Sequence, residues 1–448
     1  MKKYSRKTKI FSCVLIFTLL LAALCAPQAM GALYDSDKIA SPYAVVYNVE
    51  NDTFIFEKGA DEIICCSSTA KLMTAILALE HFSDLSVSVT AVKDSLNGIS
   101  QDKFKIGIKT DEEVTVKDLI YTMLIGNCTD SAAVLSYAVA GSHGEFGKMM
   151  NAKAKELGLT NTTYNSATGV GADINYYHTT VRDSVLLAAY AMKNPKIAEI
   201  VNTVKYTPES VDKPINEIVR TRNALLSTFI YGEDKGYLWT SKKCPANGVS
   251  INYSEESGYS LISSTNYKSL TYICMCSGAF ENTDKKISAY SDVKKLLLWA
   301  ADEYTTMKVL DKSQIFGEIP VKLSDKSDYV VVVPRDSLYA FLPHDTDVAS
   351  TIRQEFEITE KELSAPVAIG QKVGTVRLYL GEKEIASCDL VAKTQIEKSG
   401  ALAFLSVLFS KNMIIGIGIA LVASALFGII RFSVFLRMAK PRKPKTSK

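Results

Sequence analysis

An uncharged apolar stretch of 18 residues, Met413 to Ile430, extended by Phe432 to Leu436, constrains this chain more than any other feature. Its length suits a helix crossing a bilayer. Arg431, Arg437, Lys440, Arg442, Lys443 and Lys445 follow it, and a basic flank of that density places the tail, residues 437–448, on the cytoplasmic side. Lys411 and the glycines Gly416, Gly418 and Gly428 weaken the span, so an in-plane amphipathic anchor is the rival reading. At the other end, Lys2, Lys3, Arg6, Lys7 and Lys9 precede an apolar run from Ile10 to Cys25, and the small residues Ala29, Gly31 and Ala32 follow. That is the layout of a secretory signal peptide over residues 1–31, cleaved near Gly31. Lipid attachment at Cys25 is disfavoured by the bulky Leu24 before it.

Charge supports the same topology. The first 31 residues carry five Lys/Arg and no acid, and residues 431–448 carry seven Lys/Arg and no acid, so a chain of net charge +3 has a body of −9 between them. An acidic body speaks against nucleic acid as a partner, which would call for a basic face on the folded part. With 448 residues, 47% of them hydrophobic, the chain can bury the cores of two or three domains. Seven cysteines lie outside the signal segment, an odd number with no framework spacing, and none of the four histidines (His81, His143, His178, His344) stands in a metal-ligand spacing. The expectation is no structural metal, no cofactor, and hydrolytic chemistry without zinc or a histidine base.

Composition shifts once between the ends. From residue 33 to 304, helical periods (Thr69 to His81, Lys117 to Val139, Val181 to Met192) alternate with short strands (Tyr43 to Tyr47, Tyr259 to Ser264), which predicts an α/β or α+β domain. From 307 to 393 the pattern becomes strand-like at Tyr329 to Val333, Gln354 to Ile358 and Val376 to Leu380, with turns at Asp325-Lys326-Ser327 and Gly381-Glu382. A small all-β domain is predicted there, then a stalk over 394–412 and the membrane helix over 413–436. Leu119 to Leu124 and Val185 to Ala191 read as core stripes, Cys274 and Cys276 as packed residues on one strand face, and Glu255-Glu256 as a solvated turn.

Chemistry concentrates at Cys65-Cys66-Ser67-Ser68-Thr69-Ala70-Lys71-Leu72-Met73. Ser68 and Lys71, three apart at the start of a helical period, share one helix face. A hydroxyl is a poor nucleophile, and a Lys can take its proton only where burial or a neighbouring cation keeps the amine neutral. Alone, the spacing also fits an ordinary capped helix start.

The wider text narrows this. Ser68-Thr69-Ala70-Lys71-Leu72-Met73-Thr74-Ala75 resembles the nucleophile helix of the serine D-Ala-D-Ala carboxypeptidases, the low-molecular-weight penicillin-binding proteins. Val114 to Tyr121, Tyr177 to Asp183, Gly258 to Leu261 and Pro366 to Gly374 resemble further segments of that family in the same order, so the resemblance spans about 35–395. It implies a β-lactamase/transpeptidase-like fold, an antiparallel sheet flanked by helices. It also implies acyl transfer to Ser68 with Lys71 as base, stem peptides of peptidoglycan ending in D-Ala-D-Ala as substrate, β-lactams as ligands, and a place on the outer face of a bacterial membrane.

The chain departs from the family at two motifs. Where Ser-x-Asn belongs, it reads Asn127-Cys128-Thr129; where Lys-Thr-Gly belongs, it reads Ser250-Ile251-Asn252. Amide and hydroxyl have changed places in the first, and cation, hydroxyl and glycine are gone from the second. The amides of Ser68 and Tyr253, matching the family's oxyanion donors, survive any substitution except proline. Three classes therefore stay open: a peptidase with a Ser/Lys acyl-enzyme mechanism, a degenerate member that binds cell-wall peptides without turnover, and an enzyme whose altered pocket accepts another peptide or ester. Cys128, inside the altered motif, is expected near Cys65 and Cys66, either as a small buried thiol or as a partner in a disulfide.

Overall fold

Apolar residues at consecutive positions make both faces of a strand buryable, and the computed structural model uses this in one antiparallel sheet. It describes residues 34–438 apart from 98, 100–103, 170–174, 234, 256 and 409–410, without the side chains of Ser68, Ala403, 406–414 and 436–438. The expected signal peptide and nearly all of the basic tail lie outside the described residues.

Residues 31–305 with 341–345 form one unit. Along the chain, β1 (Tyr43–Asn48) and β2 (Thr53–Lys58) lead through β3 (Ile64–Cys65) into α1 (Ser67–His81). Then come α2 (Val116–Gly126), α3 (Thr129–Ala140), α4 (His143–Glu156), β4 (His178–Thr179), α5 (Val181–Met192) and α6 (Pro195–Val201). The strands β5 (Ala246–Ser254), β6 (Gly258–Tyr267) and β7 (Leu270–Ala279) and the helix α7 (Ser288–Glu303) close it. The sheet runs β2-β1-β7-β6-β5, every neighbour antiparallel, with β5 at one edge.

Strand alternation sorts the two cores. Ile273 and Met275 of β7 join Val45, Ile262 and helices α1 to α6 on one face, whereas Tyr272, Cys274 and Cys276 join Val46, Leu261 and α7 residues such as Val293 and Leu297 on the other. Cys274 and Cys276 thus share a packed face. Leu119, Ile120, Met123, Val185, Leu187 and Ala188 are buried, as the stripes predict. Helix α1 is buried almost all round, Ala70, Leu72, Met73, Ala75, Ile76 and Ala78 being at most 3% exposed, and its residue types carry the apolar surface that such a position demands.

The helical period from Lys117 to Val139 is broken, not continuous. Thr115 Oγ1 caps α2 by accepting the Asp118 N–H at 3.1 Å, and α2 ends where Asn127 turns left-handed at φ 59°, a conformation asparagine tolerates better than most residues. Cys128 and a fresh helix start at Thr129 follow. The interruption falls at Asn127-Cys128-Thr129, where the sequence reading expects the counterpart of Ser-x-Asn.

The second unit holds β8 (Gly317–Lys322), β9 (Tyr329–Pro334), β10 (Ile352–Ile358), β11 (Leu363–Ser364), β12 (Lys372–Leu380) and β13 (Lys383–Ala392). They form a six-stranded sheet in the order β10-β12-β13-β9-β8-β11. Val330, Val332, Val376, Leu378 and Leu390 are fully buried in it. Within 394–412, expected to be a short stalk, Ile396 bridges Val367, Ser399 N–H donates to the Leu323 carbonyl, and α8 (Gly400–Leu408) follows. Helix α9 (Lys411–Met438) contains one stretch, Ile415–Phe435, long and apolar enough to cross a membrane.

Candidate active site

The strand β3 pairs with β4 and delivers the chain into α1 with Ser68 as its second residue. The side chain of Ser68 lies outside the described residues. Lys71 stands one turn further on, 4% exposed, and its Nζ donates to the Thr168 carbonyl at 2.8 Å. A buried amine needs such an acceptor, because an unpaired polar group in this core would forfeit its hydration. The segment carrying that carbonyl approaches closely: Gly169 has φ +68°, and a Cβ there would stand 2.7 Å from Ser67 Cα. Only glycine fits the passage. Cys65 N–H donates to Ser257 Oγ at 3.3 Å, tying β3 to the turn between β5 and β6.

Asn127, Cys128 and Thr129 form the α2–α3 junction. Asn127 is 8% exposed, and its Nδ2 donates to Asn252 Oδ1 at 3.2 Å. Thr129 is bound elsewhere: both its N–H and its hydroxyl donate to the Phe104 carbonyl, at 2.9 and 2.8 Å. Cys128 is buried, and desolvation pushes its thiol well above the ordinary value, with Asp130 adding to the rise while Lys71 and Arg222 oppose it. Burial likewise pushes Cys66 up to about 12. All seven cysteines of the described residues are buried free thiols.

The edge strand β5 packs on α1 and carries Ser250, Ile251 and Asn252, where the sequence reading expects the counterpart of Lys-Thr-Gly. Ser250 is half-buried, and Ile251 packs into the core on the α7 face of the sheet. Asn252, on the opposite side, is 9% exposed. Its Oδ1 also accepts the Tyr253 N–H at 2.8 Å, so one carboxamide oxygen serves both Asn127 and the next amide along the strand. The Tyr253 ring is largely exposed and packs against Tyr259 at 4.8 Å. The structure therefore brings Asn127 and Asn252 into direct contact, places Lys71 within electrostatic range of Cys128, and turns Thr129 and Ile251 to other partners.

One group escaped the sequence reading. The Arg222 guanidinium lies 3.8 Å from the Phe104 ring centroid, a cation–π geometry, and its backbone N–H donates to the Ile125 carbonyl. Burial lowers its pKa from the ordinary arginine value. It is a cation within electrostatic range of Cys128 at the α2–α3 junction. Thr221-Arg222-Asn223 carries neither periodicity nor paired spacing, so no signal in the text pointed to it. Among the described residues, Glu303, His344 and Asp345 also bring three ligand-type atoms within 4.8 Å of one another, outside the segments just described.

Comparison with known proteins agrees with this architecture. Residues 30–280 match the family model described as D-alanyl-D-alanine carboxypeptidase, and residues 304–398 match that of the penicillin-binding protein 5 C-terminal domain. D-alanyl-D-alanine carboxypeptidase DacF of Bacillus subtilis (strain 168) is 27% identical over 361 residues, covering 80% of this chain and 86% of its own length. DacC of Escherichia coli (strain K12), of the same description, is 25% identical over 395 residues, covering 84% and 90%. Penicillin binding protein 6B from Escherichia coli superimposes with a TM-score of 0.60 at 18% identity, over 82% of this chain and 98% of its own, which is a likeness of fold. With a catalytic-domain model matched over more than half its length and the C-terminal domain model matched behind it, this chain belongs to the D-alanyl-D-alanine carboxypeptidase family of penicillin-binding proteins.

Proposed function

We propose that this protein forms an acyl-enzyme on Ser68 with peptidoglycan stem peptides ending in D-Ala-D-Ala, at the outer face of a bacterial membrane, with much reduced turnover. The observation that carries the reading is the buried Lys71 one turn from Ser68 on α1, its Nζ held by the Thr168 carbonyl. A neutral amine in that place takes the Ser68 proton as Oγ attacks the penultimate peptide carbonyl. The C–N bond then breaks, the proton passes to the departing D-Ala amine, and water hydrolyses the ester to restore the Ser68 hydroxyl. Arg222 supplies positive potential toward a peptide carboxylate in place of the cation that Ser250 lacks. The α9 span, the basic residues after it and the signal pattern before residue 32 support an anchored ectodomain with an inner tail.

A second reading, binding without turnover, is favoured by the Asn127–Asn252 hydrogen bond, which joins two altered positions to each other. Intact mass of the detergent-solubilised protein after incubation with benzylpenicillin separates the two. An adduct that disappears in Ser68→Ala and in Lys71→Ala supports the acyl-enzyme. Its absence at millimolar ligand after hours refutes the acyl-enzyme and leaves binding.

A further inference from the structure

An acyl-transfer site needs N–H donors aimed at the oxygen on which charge develops. The family resemblance assigns that task to the amides of Ser68 and Tyr253, and the inference rests on the acyl-enzyme chemistry of the proposed function. Ser68 is the second residue of α1, where helix geometry provides no intrahelical acceptor for the amide. Tyr253 lies on β5, an edge strand. Its N–H nevertheless has an acceptor, the Asn252 Oδ1 at 2.8 Å.

We propose that the Asn252 carboxamide is a built-in occupant of the oxyanion site and thereby decides which ligands can react there. Three observations support it. A carbonyl oxygen of neutral amide type already receives the Tyr253 amide hydrogen, as a substrate carbonyl would. The same oxygen is held from the other wall by Asn127 Nδ2, and Asn127 is itself set by the left-handed turn that ends α2. Both side chains are buried, at 8% and 9% exposure, so moving one strands a polar group of the other away from water. A glycine at 252 could do none of this. The occupant leaves only when the incoming oxygen binds the amide better than a neutral carboxamide does, which selects carbonyls that acquire negative charge readily, such as a strained lactam, over ordinary peptides.

In the lactam case Ser68 Oγ bonds to the carbonyl carbon, the ring C–N bond breaks, and the Ser68 proton passes through Lys71 to the ring nitrogen. The test measures two quantities on the detergent-solubilised protein: hydrogen exchange at the Tyr253 amide, read by fragmentation mass spectrometry, and the second-order rate of benzylpenicillin acylation. In Asn252→Ala, with fold checked by circular dichroism, Tyr253 exchange should speed up at least tenfold and acylation by about 10²-fold, the weight of one oxyanion donor. Asn252→Asp should do the reverse, since a carboxylate holds the amide more tightly and repels the developing oxyanion. Unchanged Tyr253 exchange in Asn252→Ala overturns the proposal whatever the acylation rate does. Faster exchange with no adduct in any variant upholds the occupant and instead refutes Ser68 as the nucleophile.

Discussion

Helix α1 and strand β5 pack against each other, yet they carry different polar groups in different settings. The helix retains the hydroxyl–amine pair Ser68 and Lys71 at helical spacing and buries the amine on a backbone carbonyl. The strand carries Ser250, Ile251 and Asn252 where the sequence reading expects a cation, a hydroxyl and a glycine, and Asn252 is hydrogen-bonded to Asn127 of the α2–α3 junction and to the Tyr253 amide. A nucleophile pair is local to one helix turn and survives with that turn. Carboxylate attraction and oxyanion stabilisation require groups presented by separate elements, and they can be lost while the sheet stays intact, because backbone pairing tolerates almost any side chain on β5.

The sharpest way to break this contrast is to restore the altered wall. Asn127→Ser, Thr129→Asn, Ser250→Lys, Ile251→Thr and Asn252→Gly together should raise kcat/KM for D-Ala release from a D-Ala-D-Ala peptide by about 10³-fold or more, and each single change by far less, since groups acting as one catalytic unit are non-additive. Wild type already equal to the combined variant would show that the departures are tolerated. A folded but inert combined variant would show divergence beyond these five positions.

A smaller effect tests the scaffold under the altered wall. Asp118, 2% exposed in the first turn of α2, accepts the Tyr206 hydroxyl, the Ser210 hydroxyl and the Glu209 and Ser210 N–H groups. Asp118→Ala leaves those donors without their acceptor and should cost about 3 kcal/mol, read as a lower melting temperature by circular dichroism. Unaltered stability would mean that α2, and the Asn127 at its end, is held by its packing alone.

The smallest expected effect concerns the kept wall. Arg182 bridges Glu57 through two 3.0 Å bonds and donates to Asp61 at 2.6 Å, just before β3 leads into α1, with the Phe54 ring 4.6 Å from its guanidinium carbon. Arg182→Ala should cost about 1 kcal/mol, as partly exposed ion pairs do. Arg182 holds the Asp61 carboxyl below its usual range. The folded carboxyl is thus the stronger acid, so its contribution is complete above the ordinary aspartate value of about 3.9 and fades as pH falls through the lowered one. The gap in melting temperature between wild type and Arg182→Ala should narrow below about pH 4. A constant gap would assign the loss to packing on Phe54.

Short-range signals proved readable wherever the physics is short-range. Strand alternation marked β1 and β6, helical period marked α1 and α5, and the Ser68–Lys71 spacing followed from one turn of helix. The period from Lys117 to Val139 misled because apolar spacing is blind to one asparagine turning left-handed at Asn127, which divides α2 from α3. The residues of 394–412 read as a stalk because a bridge such as Val367 to Ile396 leaves no local trace.

By itself, then, the sequence determined the apolar and basic ends, the order of elements and the helical spacing of Ser68 and Lys71, and it singled out Asn127, Thr129, Ser250, Ile251 and Asn252. Tertiary structure alone decided which partners they meet: Asn127 meets Asn252 across 125 residues, Lys71 meets Thr168 across 97, and Thr129 turns to Phe104. Side-chain hydrogen bonds are short and directional, so partners distant in sequence are chosen only when packed helices and strands bring their atoms within about 3 Å, a condition that no pattern of neighbouring residues encodes.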